Sequence, residues 1–114
     1  MKLGGYRKFG KTEAERAKIL ADAKALEAAG AFVVLMEMTD ADCAKAVTES
    51  LSVPTIGIGS GADCDGQVLV SADVLGLSAT PPSFAKRYAN VGGIIEKAFR
   101  EYIADVRGGR FPNK

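Results

Sequence analysis

The sequence predicts an α/β fold whose parallel strands are joined by crossover helices. Three observations lead there: short apolar runs at 31–38 and 53–58, a helix-patterned stretch between them, and connections of only a few residues. Strand, helix, strand in that order is a βαβ unit, which implies parallel strands and a right-handed crossover. A chain of 114 residues suffices for one domain with a small core, and residues 1–114 are read as that single domain.

Residues 1–11 are rich in glycine and basic side chains and read as a loop. Thr12-Glu13-Ala14-Glu15 fits a capping box, with Thr12 accepting from the Glu15 N–H and Glu15 reaching back to Thr12. A helix should follow from Glu13 to about Ala29. Ile19, Leu20, Ala23 and Leu26 form its apolar face at three- and four-residue steps, and Gly30 supplies a left-handed stop. The run AFVVLMEM at 31–38 is almost wholly apolar, as in a strand buried on both faces of a parallel sheet. Thr39-Asp40-Ala41-Asp42 opens the crossover helix, which continues to about Leu51 with Ala44, Val47 and Leu51 inward. The second strand is 53–58, and Pro54 is tolerated at its start.

Gly59 to Gly66 is a loop, followed by a short extended segment from Gln67 to Val70 and a brief turn or strand within 72–77. Thr80-Pro81-Pro82-Ser83 is a break, and 84–88 reads as a short helix. The last helix spans about 91–106. Ile95, Ala98, Tyr102 and Val106 form its stripe, widened by Ile94, Phe99 and Ile103, and Gly108-Gly109 ends it.

Composition narrows the function classes. Fifteen Lys and Arg against 14 Asp and Glu leave a net charge of +1, no footprint for nucleic acid or a membrane surface. Arg107, Arg110 and Lys114 read as a solvated tail. There is no histidine, which excludes Ser-His and Cys-His catalysis and the commonest metal ligand. Cys43, in a helix, and Cys64, in a loop, make no zinc site and are expected as reduced thiols. No apolar run approaches the ~20 residues of a membrane span, and no secretory signal opens the chain, so a soluble, cytoplasmic protein is expected.

Three features are candidates for chemistry. Glu37 interrupts an apolar strand near its C-terminal end, where α/β active sites form. Burial there would raise its pKa and suit it to proton transfer; a structural ion pair is the other reading. Gly57, Gly59, Ser60 and Gly61 follow the second strand, where glycines let backbone N–H groups approach an anion. A tight turn without a ligand explains the same residues, and neither a P-loop nor a dinucleotide fingerprint is present. Asp63, Asp65 and Asp73 are candidate Mg²⁺ ligands, against Asp-Gly turn formation. Tyr6 and Tyr88 have no assignable role.

Several segments in this order resemble ketopantoate hydroxymethyltransferase: Leu3-Gly4-Gly5-Tyr6, LEAAGAFVVLMEM at 26–38, VPTIGIGSG at 53–61, CDGQVLVSADVLGL at 64–77, FAKRYANVGG at 84–93 and GGRFP at 108–112. The resemblance covers nearly the whole chain, and GIGSG followed by CDGQVLV is its most specific part. It implies the C-terminal portion of a (β/α)8 barrel of the phosphoenolpyruvate/pyruvate superfamily. Such a barrel takes about 250 residues, so the N-terminal half is expected to be absent.

The implied reaction moves a hydroxymethyl group from 5,10-methylenetetrahydrofolate to 3-methyl-2-oxobutanoate, giving 2-dehydropantoate, a step of pantothenate synthesis. In the family, Mg²⁺ chelates the keto acid and acidifies its C3 proton, a glutamate removes that proton, and the enolate attacks the one-carbon unit. The base maps onto Glu37, and the glycine loop onto Gly57, Gly59, Ser60 and Gly61 as substrate- or cofactor-binding candidates. The family's metal-binding aspartates, a lysine and a further acid lie on strands preceding residue 1.

This sequence departs from the family in carrying Ala72 where a His is common, Ser60 where GIGAG is usual, and Asn113-Lys114 in place of a His-containing tail. The chain alone is therefore expected to bind no metal and to be inactive. Its expected partners are a small keto acid and either further copies of itself or a chain carrying the missing strands. The alternative is a non-catalytic partial-barrel module that associates in the same way.

Overall fold

The computed structural model describes residues 7–113; the Leu3–Tyr6 motif and Lys114 lie outside them. It divides into two compact units, Met1–Val68 and Leu69–Lys114.

In the first unit, helix α1 (Glu13–Ala28) begins where Thr12 Oγ1 accepts from the Glu15 N–H at 3.2 Å. The other half of the expected capping box differs. The Glu15 carboxylate passes over Thr12 and accepts from the N–H groups of Gly10 (2.9 Å) and Lys11 (3.2 Å) and from the Arg7 guanidinium (3.1 Å). The preceding loop curls back over the helix start, so its N–H groups are the nearer donors. The helix ends as expected. Gly30 takes φ +95°, its N–H bonds Glu27 O, and the Ala31 N–H bonds Leu26 O, the paired bonds of a Schellman motif.

The Glu15 carboxyl is held below the ordinary carboxylate range, chiefly by the bond from Arg7, against the opposing effect of burial and with help from Gly10 and Lys11. A depressed folded-state pKa adds stability that is present above the unfolded value, about 4.3 for glutamate, and is lost as pH falls through the folded value. Glu15→Gln should therefore lower stability at neutral pH, with the deficit shrinking as pH falls below about 5, so that the acid side of the stability profile flattens. Urea unfolding midpoints across that range would test it.

Strand β1 (Val34–Glu37), helix α2 (Ala41–Ser50) and strand β2 (Thr55–Ile58) form the expected βαβ unit. β1 and β2 are parallel, with Val34 beside Thr55 and Glu37 beside Ile58. A two-residue strand β3 (Gly66–Gln67) adds in parallel to β2, giving the order β1-β2-β3. The core lies between one sheet face and the helices: Ala23 of α1, Val34 and Met36 of β1, and Ala44 and Val47 of α2, with Ile19, Leu20, Leu51, Val53 and Cys64 around them. Asp40 caps α2 through the Cys43 N–H, and Glu27 accepts from the N–H groups of Ser52 and Val53 at the entry to β2. Cys43 and Cys64 are free thiols, in helix and loop as expected. Burial pushes the Cys43 thiol up.

Two expectations for this unit are corrected. β1 is not buried on both faces: Val34 and Met36 are covered, whereas Leu35 is 57% exposed and Glu37 is exposed with it. Helices cover one side of the sheet, so alternate residues of the apolar run face outward. Leu26 is exposed rather than part of the α1 core stripe, which is centred on Ala23.

In the second unit, 72–77 contains a single helical turn, α3 (Ser71–Val74), and the last helix is α4 (Val91–Arg107), capped by Asn90 and ended by Gly108 and Gly109. Residues 84–88 are not helical: a turn closes from the Ala85 N–H to Pro82 O, and the N–H groups of Tyr88 and Ala89 bond Val74 O instead of a local carbonyl. The α4 stripe forms at the expected spacing, but no residue of α4 is buried. Among the described residues, no helix is long and apolar enough to cross a membrane.

Candidate functional site

Two of the three candidate features, Glu37 and the glycine loop, meet where β1 and β2 end. Glu37 is the last residue of β1. Strand alternation turns its carboxylate to the face opposite the helices, the side shared with Leu35, Ile56 and Ile58. Among the described residues, no Lys or Arg nitrogen lies within ion-pair distance of it. The expectation of a buried carboxylate is corrected: Glu37 is exposed. A cavity of about 190 Å³ lies elsewhere, between α1 and α2, lined by residues such as Arg16, Leu20, Asp42 and Cys43.

The backbone after Glu37 turns sharply. Met38 adopts φ +51°, the one positive φ at a non-glycine residue among the described residues. That conformation costs about 1–3 kcal/mol for such a side chain and persists only where its surroundings enforce it. Here the Met38 N–H donates to Ile58 O at 2.9 Å, and Met38 O accepts from the Phe9 N–H at 2.8 Å. The Asp40 N–H in turn donates to Phe9 O at 2.7 Å, so the segment before α1 bridges to the turn at Thr39.

The glycine loop is organised around packing. A Cβ on Gly57 would lie 2.8 Å from Cys64 Sγ, so the strand closes tightly on the following loop. Gly59 (φ +63°) and Gly61 (φ +86°) make the left-handed turns on either side of Ser60. A Cβ on Gly61 would come within 2.7 Å of the Ala41 Cβ. Gly61→Ala should thus combine backbone strain with a clash, costing about 2–4 kcal/mol. Gly30→Ala, with φ +95° and nothing within 4 Å of its Cβ, should carry the backbone strain alone, about 1–2 kcal/mol. Urea denaturation of both variants measures the contrast.

Ser60 is 1% exposed. Its Oγ accepts from the Thr39 N–H at 3.1 Å and donates to Met36 O at 2.9 Å, with Ile58 O at 3.2 Å as a second acceptor. The hydroxyl is thereby engaged inside the protein. Neither this clamp nor the Met38 conformation was anticipated from sequence. Serine in place of the usual alanine was the only available sign of the first, and there was none of the second.

The three aspartates have different surroundings. Asp65 Oδ2 accepts from the Thr55 N–H at 2.8 Å and from Thr55 Oγ1 at 3.2 Å, and Thr55 Oγ1 also meets Thr48 Oγ1 at 2.8 Å. This network ties the loop to the first residue of β2, the strand end remote from Glu37. Asp63 is exposed, and Asp73 lies in α3 of the second unit. Among the described residues, no group of three or more Cys, Asp and Glu side chains is placed to hold a metal ion.

The family model described as ketopantoate hydroxymethyltransferase matches residues 1–114. The chain belongs to the ketopantoate hydroxymethyltransferase family. Relatives named 3-methyl-2-oxobutanoate hydroxymethyltransferase include one from Pyrococcus furiosus, 57% identical over 114 residues. Another, from Pyrobaculum calidifontis, is 56% identical over 110 residues, 96% of this chain. A third, from Sulfurisphaera tokodaii, is 52% identical over 114 residues. These alignments take in 40%, 42% and 43% of the respective relatives, so the chain spans about two fifths of the length of the relatives it matches. Ketopantoate hydroxymethyltransferase membership is consistent with the α/β organisation and its parallel strands.

Proposed function

We propose that this chain is the base-bearing part of a transferase that moves a hydroxymethyl group from 5,10-methylenetetrahydrofolate to 3-methyl-2-oxobutanoate, giving 2-dehydropantoate. One observation carries the reading. Glu37 stands at the C-terminal end of a parallel strand, exposed on the sheet face opposite α1 and α2, with no cationic partner among the described residues. A carboxylate free of an ion pair can accept a proton, whereas a committed partner would weaken it as a base. In this reading Glu37 takes the proton from C3 of the keto acid, leaving the enolate.

We read the three-stranded sheet as part of a (β/α)8 barrel, with Leu35, Glu37, Ile56 and Ile58 facing its interior, and Gly57, Gly59, Ser60 and Gly61 shaping the rim of the site. The described residues do not fit a magnesium site: Asp65 is bonded to Thr55, and Asp63 and Asp73 join no acidic cluster. The chemistry derived for this chain is therefore limited to removal of the proton. The partner proposed is the remainder of the barrel, as the same polypeptide or another, with the chain working as a cytoplasmic enzyme component.

A non-catalytic module that associates through the same open face is the competing reading. The two separate on exchange of the C3 proton of 3-methyl-2-oxobutanoate in D₂O with Mg²⁺ present. The chain would be joined to the stretch of the Pyrococcus furiosus relative that it does not match, giving a full-length enzyme. Exchange by the joined enzyme supports the transferase reading, and its absence supports the module.

A further inference from the structure

We infer that Ser60 is a positioning residue for Glu37, holding the strand end that carries the base through a single buried hydroxyl. The inference rests on the reading of Glu37 as the base. Its grounds are geometric. The Ser60 hydroxyl bonds Met36 O, one residue before Glu37, and the Thr39 N–H, two residues after it. Glu37 is thus bracketed by two backbone groups fixed to one oxygen. Between them Met38 is held at φ +51°, a conformation that an ordinary extended strand end would relax.

Thr39 is itself buried. Without the hydroxyl its N–H loses its acceptor in a place water does not readily reach, and the turn must shift to find another. The exposed Glu37 carboxylate makes no ion pair among the described residues to resist that shift, so its aim follows the backbone. Gly59 and Gly61, left-handed on either side, and the close approach of Gly61 to Ala41 fix where Ser60 sits. The glycine loop is in this account a device for delivering one hydroxyl to the neighbouring strand.

The test compares the full-length joined enzyme with its Ser60→Ala, Glu37→Gln and doubly substituted forms. C3-proton exchange is followed by NMR and normalised to folded protein by circular dichroism. Ser60→Ala should lower kcat for exchange about 10–100-fold, the scale of a small misplacement of a reacting group, with KM within threefold. In the Glu37→Gln background the same substitution should have no further effect, because there is no base left to aim.

A Ser60→Ala enzyme within twofold of the parent would overturn the inference. So would an equal proportional loss in the Glu37→Gln background, or an alanine variant that does not fold at 25 °C, since either marks the hydroxyl as merely structural. If Glu37→Gln exchanges as fast as the parent, the reading of the base fails and the inference falls with it. If Glu37→Gln is inactive while Ser60→Ala exchanges within twofold of the parent, only the role of Ser60 is lost.

Discussion

Glu37→Gln in the full-length joined enzyme is expected to slow C3-proton exchange of 3-methyl-2-oxobutanoate about 10²–10⁴-fold, the usual contribution of a positioned general base. That range corresponds to about 3–5 kcal/mol of lost transition-state stabilisation. Glutamine keeps the shape and hydrogen-bonding reach of the side chain but cannot take the proton. Substrate affinity should therefore stay within a few fold, and the loss should fall on kcat. Folding should not suffer, because Glu37 is exposed and makes no ion pair among the described residues. The outcome that sinks the assignment is a Gln variant exchanging at the parental rate. Glu37 would then be an ordinary polar residue at a strand end.

What could be read from the sequence was decided by neighbours along the chain. Thr12, Asp40, Gly30 and the pair Gly108-Gly109 act within a turn of their own helices, so the helix ends were legible to within a residue or two. The βαβ order was legible for a related reason, since an apolar run, a helix pattern and a short connection leave little choice of topology. Glu37 stood out because a carboxylate in such a run is unusual.

What was not legible depends on residues distant in sequence. Ser60 reaches back to Met36 and Thr39, and the Met38 conformation is enforced from Phe9 and Ile58. Residues 84–88 form no helix, because the Tyr88 N–H, followed by that of Ala89, bonds Val74 O in place of a local carbonyl. Asp65 looked like a free acid in a turn because Thr55, its partner, lies on the preceding strand. Two-sided burial of β1 fails for another reason: an apolar run does not say how many of its faces are covered, and α1 and α2 cover one face of this sheet and leave Leu35 on the other.

Leu35→Asp should therefore behave oppositely in two settings. In the chain by itself, Leu35 is 57% exposed, so the substitution should change stability by no more than about 0.5 kcal/mol, as at other surface positions. If the open face is the interior of a barrel, the same carboxylate in the full-length enzyme is buried without a partner, at a cost of about 3–5 kcal/mol. It also stands on the face that carries Glu37, where a second negative charge disfavours ionisation of both. Urea unfolding of the chain and of the joined enzyme, each with and without the substitution, measures the difference. A loss confined to the joined enzyme is the expected result. Equal small effects in both would mean that Leu35 stays at the surface when the remaining strands are supplied, and the barrel reading would have to be given up. Val34→Asp provides the opposite control: Val34 belongs to the helix-covered core, so the buried charge should be severely destabilising in both settings, whatever the outer face becomes.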